Sequence, residues 1–440
     1  MAKHEKHEEK KSRVINLDDY RKKAPSEPAQ EAEAELEYED IFSGDEEESE
    51  AQRQKRRELR QLPKAVYIVS LVLLVAVVGL SLWINREHLT WDNIRESVKL
   101  QVKGEEIGDG FPVPITGANV YEGNFLSYDG GVVTLSNTAL TAINSTGTEK
   151  FSVRHNLSAP VMRSAGNRYL LFNSGSKGYM ALSGGRIAAE GAAETDILAG
   201  GICPGGRFAL GLESSYGASK LEVYMADGSL QYEYPFSNDY ITAIAMNYDG
   251  TYGAVCTVRS EKGEMVSKLS IFDFNKEEPV AEYETRENFL FGAYWAENGS
   301  IYGVGDAALV CGLSGSYEFS EYDYQGRQLT AFSLSSGRAF LSVSAYEHGG
   351  TSTLLVFNGG EKIGEKNPVR VEMEARVEAI STSGGTVGVL MGGEAVFLDY
   401  ITGMELGRTE AGEDANGIAL GSERRAYILG VSEIRTAEIS

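Results

Sequence analysis

The chain has 440 residues, enough for two or three domains or one large repeat array, and carries 41 Lys and Arg against 64 Asp and Glu, a formal charge of -23. That balance speaks against a nucleic-acid partner, because phosphate recognition depends on cationic side chains displacing counterions. Fifty glycines against ten prolines, with 23 tyrosines, point to many short strands and tight turns, and only His155 and His348 lie beyond residue 90, which thins the prospects for zinc or histidine chemistry.

Three unlike parts follow one another. Residues 1–64 hold the acidic clusters EAEAELEYED (31–40) and GDEEESE (44–50), with no basic residue from Ser26 to Gln52. Such a segment buries too little apolar surface to fold alone and predicts a disordered tail. Within it RVINLDDYRKK (13–23), apolar among charges, is either a short docking motif or featureless disorder. Residues 65–84, AVYIVSLVLLVAVVGLSLWI, form an uncharged run of the length that crosses a hydrocarbon core of about 30 Å, and predict a transmembrane helix.

The flanks predict its orientation. Arg53, Lys55, Arg56, Arg57, Arg60 and Lys64 precede the run, and the positive-inside rule keeps such a cluster in the cytoplasm, which leaves the C-terminal part outside and Trp83 and Trp91 at the outer interface. Gly79-Leu80-Ser81 is the small-x-small triplet of a cleaved signal peptide, but the 64-residue leader and the long apolar run fit an uncleaved signal anchor better. Residues 85–107 read as a juxtamembrane linker. Beyond residue 64 the net charge is -19, which would repel an anionic wall polymer.

From residue 108 to 440 two phrases alternate. The first, an apolar run, a Gly turn and a second apolar run, recurs as LSYDGGVVTL (126–135), SAGNRYLLF (164–172), CPGGRFALGL (203–212), NYDGTYGAV (247–255), AENGSIYGV (296–304), SSGRAFLSV (335–343), TSGGTVGVL (382–390) and GSERRAYILG (421–430). Its markers Gly130, Gly166, Gly206, Gly250, Gly299, Gly337, Gly385 and Gly421 are spaced 36, 40, 44, 49, 38, 48 and 36 residues apart. The second phrase, as in LEVYMADGSLQYEYPF (221–236), carries Gly147, Gly184, Gly228, Gly315, Gly359 and Gly403, and the fourth repeat replaces it with NKEEP (275–279). Two hairpins per repeat make a blade of four antiparallel strands, A to D outward, so the fold class is all-β, an eight-bladed β-propeller, with seven blades the alternative if one repeat is irregular. The last repeat lacks an outer strand, and SVKLQVKG (97–104) is the expected strand to close the ring.

The anchor, the GDGFPVPI lead-in (108–115) and the Gly-punctuated blades resemble the pyrroloquinoline-quinone-like and WD40-like propellers, and more closely an uncharacterised family of membrane-anchored propellers in Gram-positive bacteria. The resemblance implies fold and topology and no activity. The blades lack the Gly-His and Trp-Asp dipeptides of WD40 repeats, and the neighbouring cysteine pair of quinoproteins is absent.

Propellers host many functions, so chemistry has to come from sites. Neither HExxH nor GxSxG occurs, and no catalytic residue, cofactor or metal site is expected. Asp227, Asp249 and Asp306 have the chemistry for calcium but read better as turn residues bonding their own backbone. Cys203, Cys256 and Cys311 read as small buried hydrophobes, with one bridge among them the alternative in an exported protein. The aromatic stretches YEYPFSNDY (232–240) and GSYEFSEYDYQG (315–326) read as packing between blades, with stacking on sugars or a partner as the rival.

The B to C and D to A connections share one face and read as longer and more varied: ESSYGAS (213–219), VRSEKGEMVS (258–267), SAYEHGG (344–350), FSNDY (236–240), ETRENF (284–289) and EKNPVRVEMEA (365–375). Recognition concentrates on such loops, which makes Tyr216, Arg259, Arg286 and Tyr346 the candidate binding face for a protein or glycan partner. The sequence therefore reads as a non-catalytic extracytoplasmic binding or scaffolding module anchored in the cell membrane, in envelope assembly or sensing. The alternatives are a receptor signalling through its tail and an enzyme of unknown chemistry.

Overall fold

The computed structural model describes residues 69–77, 108–346, 348–359 and 368–439. The chain divides into two units, Met1–Glu87 and His88–Ser440. In the first, residues 69–77 form a short helix of exposed apolar side chains, and among the described residues no helix is long and apolar enough to cross a membrane. The tail (1–64), the rest of the 65–84 run and the linker (85–107) lie outside the described residues.

Among the described residues of the second unit, 32 strands form eight four-stranded antiparallel sheets, the blades of a propeller. Seven blades use four consecutive strands: 120–154, 160–192, 197–236, 240–286, 290–323, 328–373 and 379–410. The eighth stacks Gly417–Leu420, Arg425–Leu429 and Glu433–Glu438, and its outer place is taken by Val113–Pro114 from the start of the ring. Val113 lies opposite Ile434 and Pro114 opposite Glu433, and the Ile115 amide donates to the Ser432 carbonyl. An N-terminal strand thus closes the ring as expected, but from within GDGFPVPI. SVKLQVKG (97–104), the strand expected there, lies outside the described residues.

The strands follow from burial. Second and third strands of a blade are covered on both sides by neighbouring blades, so Gly131–Ser136, Ser300–Gly305 and Thr386–Met391 are buried at every position and read as continuous apolar runs. Outer strands such as Leu230–Phe236 and Glu405–Glu410 alternate, with charged side chains outward. The core is accordingly a circle of eight clusters, one at each junction between blades. Tyr232 and Tyr234 meet Phe272 of blade four, Phe319 meets Tyr283 and Tyr322 meets Phe357, so these four rings of the aromatic stretches pack between blades, while Tyr240 at the end of the first is exposed. The three cysteines are buried, and none forms a disulfide with another.

Glycine spacing at the junctions sets how closely blades approach. A side chain on Gly201 would meet the Ile244 carbonyl, and one on Gly211 the Ile241 side chain. Between blades five and six the junction is filled by large rings instead, with Phe289, Phe291 and Phe332 in succession and Tyr294 stacked on Tyr302. The inner strands of blades three to six share a further device: their register slips at Leu198, Thr242, Phe291 and Thr330, an unpaired residue near the same end of each strand.

Six marker glycines, from Gly130 to Gly337, take positive φ in the A to B turns. In the seventh repeat that role falls to Gly384 rather than Gly385, and Gly421 has no positive φ. Gly359 likewise has none, while Gly147, Gly184, Gly228, Gly315 and Gly403 do. The fourth C to D turn needs no glycine because the Asp273 carboxylate accepts from the Asn275 amide at 3.1 Å.

Candidate binding face

In an up-and-down blade the B to C and D to A connections emerge at one end, and here that end carries exposed Tyr121, Tyr216, Tyr240 and Tyr346. Tyr216 is fully exposed, at 103 %. At the other end Tyr248, Ile401 and Met404 are the exposed large apolar side chains in turns.

The loops themselves differ from expectation. The stretch 258–267 is mostly strand: Tyr252–Glu261 and Glu264–Asp273 run long and meet in a tight Lys262-Gly263 turn, so blade four projects a hairpin. The stretch 365–375 likewise contains the outer strand Val369–Met373 of blade six. B to C turns in blades one, five and seven span only 137–138, 306–307 and 392–393, so this face is not the one with the longer loops; pairing tightened what composition suggested was irregular.

Ion pairs bind the blade-four hairpin to its surroundings. Arg259 donates to Glu284 at 2.9 Å, to Glu261 at 3.0 Å and to Asp239 at 3.3 Å. Arg286 pairs with Glu264 at 2.8 Å and approaches Glu261 at 3.7 Å, and Lys268 reaches Glu282 at 3.3 Å and Glu284 at 3.8 Å. Burial works to lower the pKa of Arg259, but the carboxylates of Glu284, Glu261 and Asp239 outweigh it and hold the guanidinium above its usual range. Glu261 sits below the usual carboxylate range because it accepts from Arg259. Exposed pairs of this kind contribute little to stability, so the network sets direction and shape more.

The structure brings two of the four expected residues together. Arg259 and Arg286 meet through Glu261. The Tyr216 loop is tied to them through Ser219, whose hydroxyl donates to the Asp239 carbonyl at 2.6 Å, while the Asp239 carboxylate accepts from Arg259. Tyr240 follows directly. Tyr346 stands apart on blade six, its amide held by Ser344 Oγ at 3.2 Å. Sequence reading missed Tyr121, because an apolar residue opening a strand carries no sign of whether a neighbouring blade covers it, and held Tyr240 only as the end of the stretches 232–240 and 236–240.

Other groups have structural partners. Asp227 and Asp249 each cap their own turn, accepting from the amide and hydroxyl of Ser229 and of Thr251, whereas Asp306 accepts from the Phe289 amide of another loop at 2.6 Å. Burial pushes the Cys256 and Cys311 thiols up to about 12, which leaves them protonated and inert near neutrality. An SxxK spacing, Ser174 to Lys177, falls in the B to C loop of blade two, where the ammonium group donates to the Glu194 carbonyl at 2.7 Å. Among the described residues no group of three or more His, Cys, Asp or Glu could hold a metal ion.

Fold and surface together define an eight-bladed propeller with tyrosines and a charged hairpin at one end. The chain belongs to the Family of unknown function (DUF5711), which it matches over residues 115–394. No curated protein matches it. Among solved structures it is similar to Saccharomyces cerevisiae Sqt1, at 11% identity and a TM-score of 0.54, covering 76% of this chain and 100% of that one. Two others are the Kuenenia stuttgartiensis hydrazine synthase (10% identity, TM-score 0.45, 66% and 97% covered) and BamB from Moraxella catarrhalis (10%, 0.44, 75% and 100%). At these identities the likeness concerns the fold.

Proposed function

We propose that the protein is a non-catalytic binding or scaffolding module of the cell envelope. Residues 65–84 hold it in the membrane, the tail of 1–64 is cytoplasmic and the propeller lies outside. Its working surface is the face of the B to C and D to A connections, and its partner is a protein. The observation that carries this reading is the grouping of Tyr216, Tyr240, Arg259 and Arg286 on blades three and four. Tyrosine offers a large, rigid ring with a polar tip, and tyrosine and arginine dominate binding energy at protein interfaces. The surrounding carboxylates favour a partner with exposed cations, since complementary charge selects and orients an encounter. The described lead-in begins at the opposite end of the ring, where Gly108 and Gly110 donate to Thr146 in a C to D turn.

The test places a photo-crosslinking amino acid at 216, 240 or 346, and at 248 or 401 on the opposite end, in living cells. Discrete adducts from the first set and none from the second are expected. Adducts confined to 248 and 401 would put the working surface on the other face.

A further inference from the structure

The inner strands, which line the central opening of the ring, are nearly free of charge in a chain whose formal charge is -23. Across all eight they carry one carboxylate, Glu122, and one cation, Arg163. Arg163 lies opposite Leu170 in its own blade. At the matching register, five other blades place Gly201, Ala245, Ser333, Ser381 and Ala419. A single long cation thus stands in a layer of mostly small, neutral residues.

Its partners are few. One guanidinium nitrogen donates to the Met162 carbonyl at 3.0 Å, and the group lies 5.9 Å from the centroid of the Phe172 ring. Among the described residues no carboxylate pairs with it. The same ring packs closely on Gly200 of blade three, where an added side chain would come within 2.8 Å of it, so the phenyl group beside the arginine is held in place. Arg163 is exposed to solvent on an inner strand, and desolvation by the protein around it lowers its pKa. A guanidinium offers five N–H donors in a planar fork that matches an oxyanion, and a partly desolvated cation without a counter-charge is unfavourable. An unpaired arginine in such a place is therefore poised for an anion.

We propose that the central opening binds a small oxyanion, a carboxylate or a phosphate, through Arg163. This site is separate from the tyrosine-bearing face, so the two readings stand or fall independently.

The experiment follows the melting temperature of the full chain in detergent while inorganic phosphate or acetate replaces chloride at constant ionic strength. Either anion is expected to raise it saturably, and the more effective one identifies the source. Arg163→Gln should weaken the apparent affinity about tenfold or more, the worth of a charge-assisted hydrogen bond, and Arg163→Lys, which keeps the charge but loses the fork, should fall between. Arg207→Gln, which removes an arginine held by the Gly250 carbonyl in a turn, should leave the effect intact. If neither anion stabilises the native chain, or if both stabilise Arg163→Gln as well as the native protein, the proposal is wrong. Should Arg163→Gln not fold, the comparison of Arg163→Lys with Arg207→Gln decides.

Discussion

At the scale of single residues, turn conformation separates glycines that look alike in sequence. Gly206 sits at φ 91° with the Ala226 side chain 3.1 Å from where its own Cβ would be. Gly385 lacks positive φ and has only Glu423 Oε1 at 3.6 Å. Gly206→Ala should therefore cost about 1–2 kcal/mol, the left-handed penalty, and Gly385→Ala little, as read by denaturant unfolding. Turn carboxylates give a second expectation. Hydrogen bonds from Ser229 lower the pKa of Asp227, and those from Thr251 lower that of Asp249. Because the folded values lie below the unfolded ones, this stabilisation is complete above about pH 4 and is lost as pH falls through the folded values. Acid unfolding should steepen below that point, and Asp249→Ala should flatten it.

At the scale of elements, the decisive piece is the shortest strand. Val113–Pro114 seals blade eight while Phe111, Val113 and Ile115 pack on a cluster that includes Tyr427 and Ile434. The Tyr427 hydroxyl also donates to the Gly130 carbonyl of blade one at 2.7 Å, so the last blade is fastened to the first. Ile434→Ala should cost about 2–5 kcal/mol, since it opens a cavity in a fully buried position. Val113→Asp, which puts a charge on the same cluster, should lower the melting temperature too. Melting curves equal to that of the intact chain would mean the ring does not depend on this closure.

At the scale of the whole molecule, a propeller has no single interior: stability is spread over eight junctions, and the ends of the chain must meet for the last to form. This frees the loop faces to vary without disturbing the sheets. The proposed membrane topology gives an expectation here. Protease added to intact wall-less cells should destroy an epitope at Ser440 and spare one at Met1, and the reverse would overturn the orientation.

The repeat of Gly turns between apolar runs determined the propeller class, the four strands per blade and the need for a strand from the start of the ring, and left eight blades or seven, because tight hairpins and two-sided burial leave direct marks in local sequence; the eight sheets of the structure decided the count. What local pattern does not encode is which surfaces meet. Only the tertiary structure decided that Val113–Pro114 takes the outer place of blade eight, that Gly384 rather than Gly385 turns the seventh repeat, and that 258–267 is a projecting hairpin. It also decided that Arg259 and Arg286 share Glu261 while Tyr346 stands alone, and that Arg163 is the one cation on the inner strands. Several of those outcomes depend on contacts between residues far apart in sequence, such as Arg259 with Asp239, 20 positions away, and Tyr427 with Gly130, 297 away, whose geometry is set by the ring as a whole.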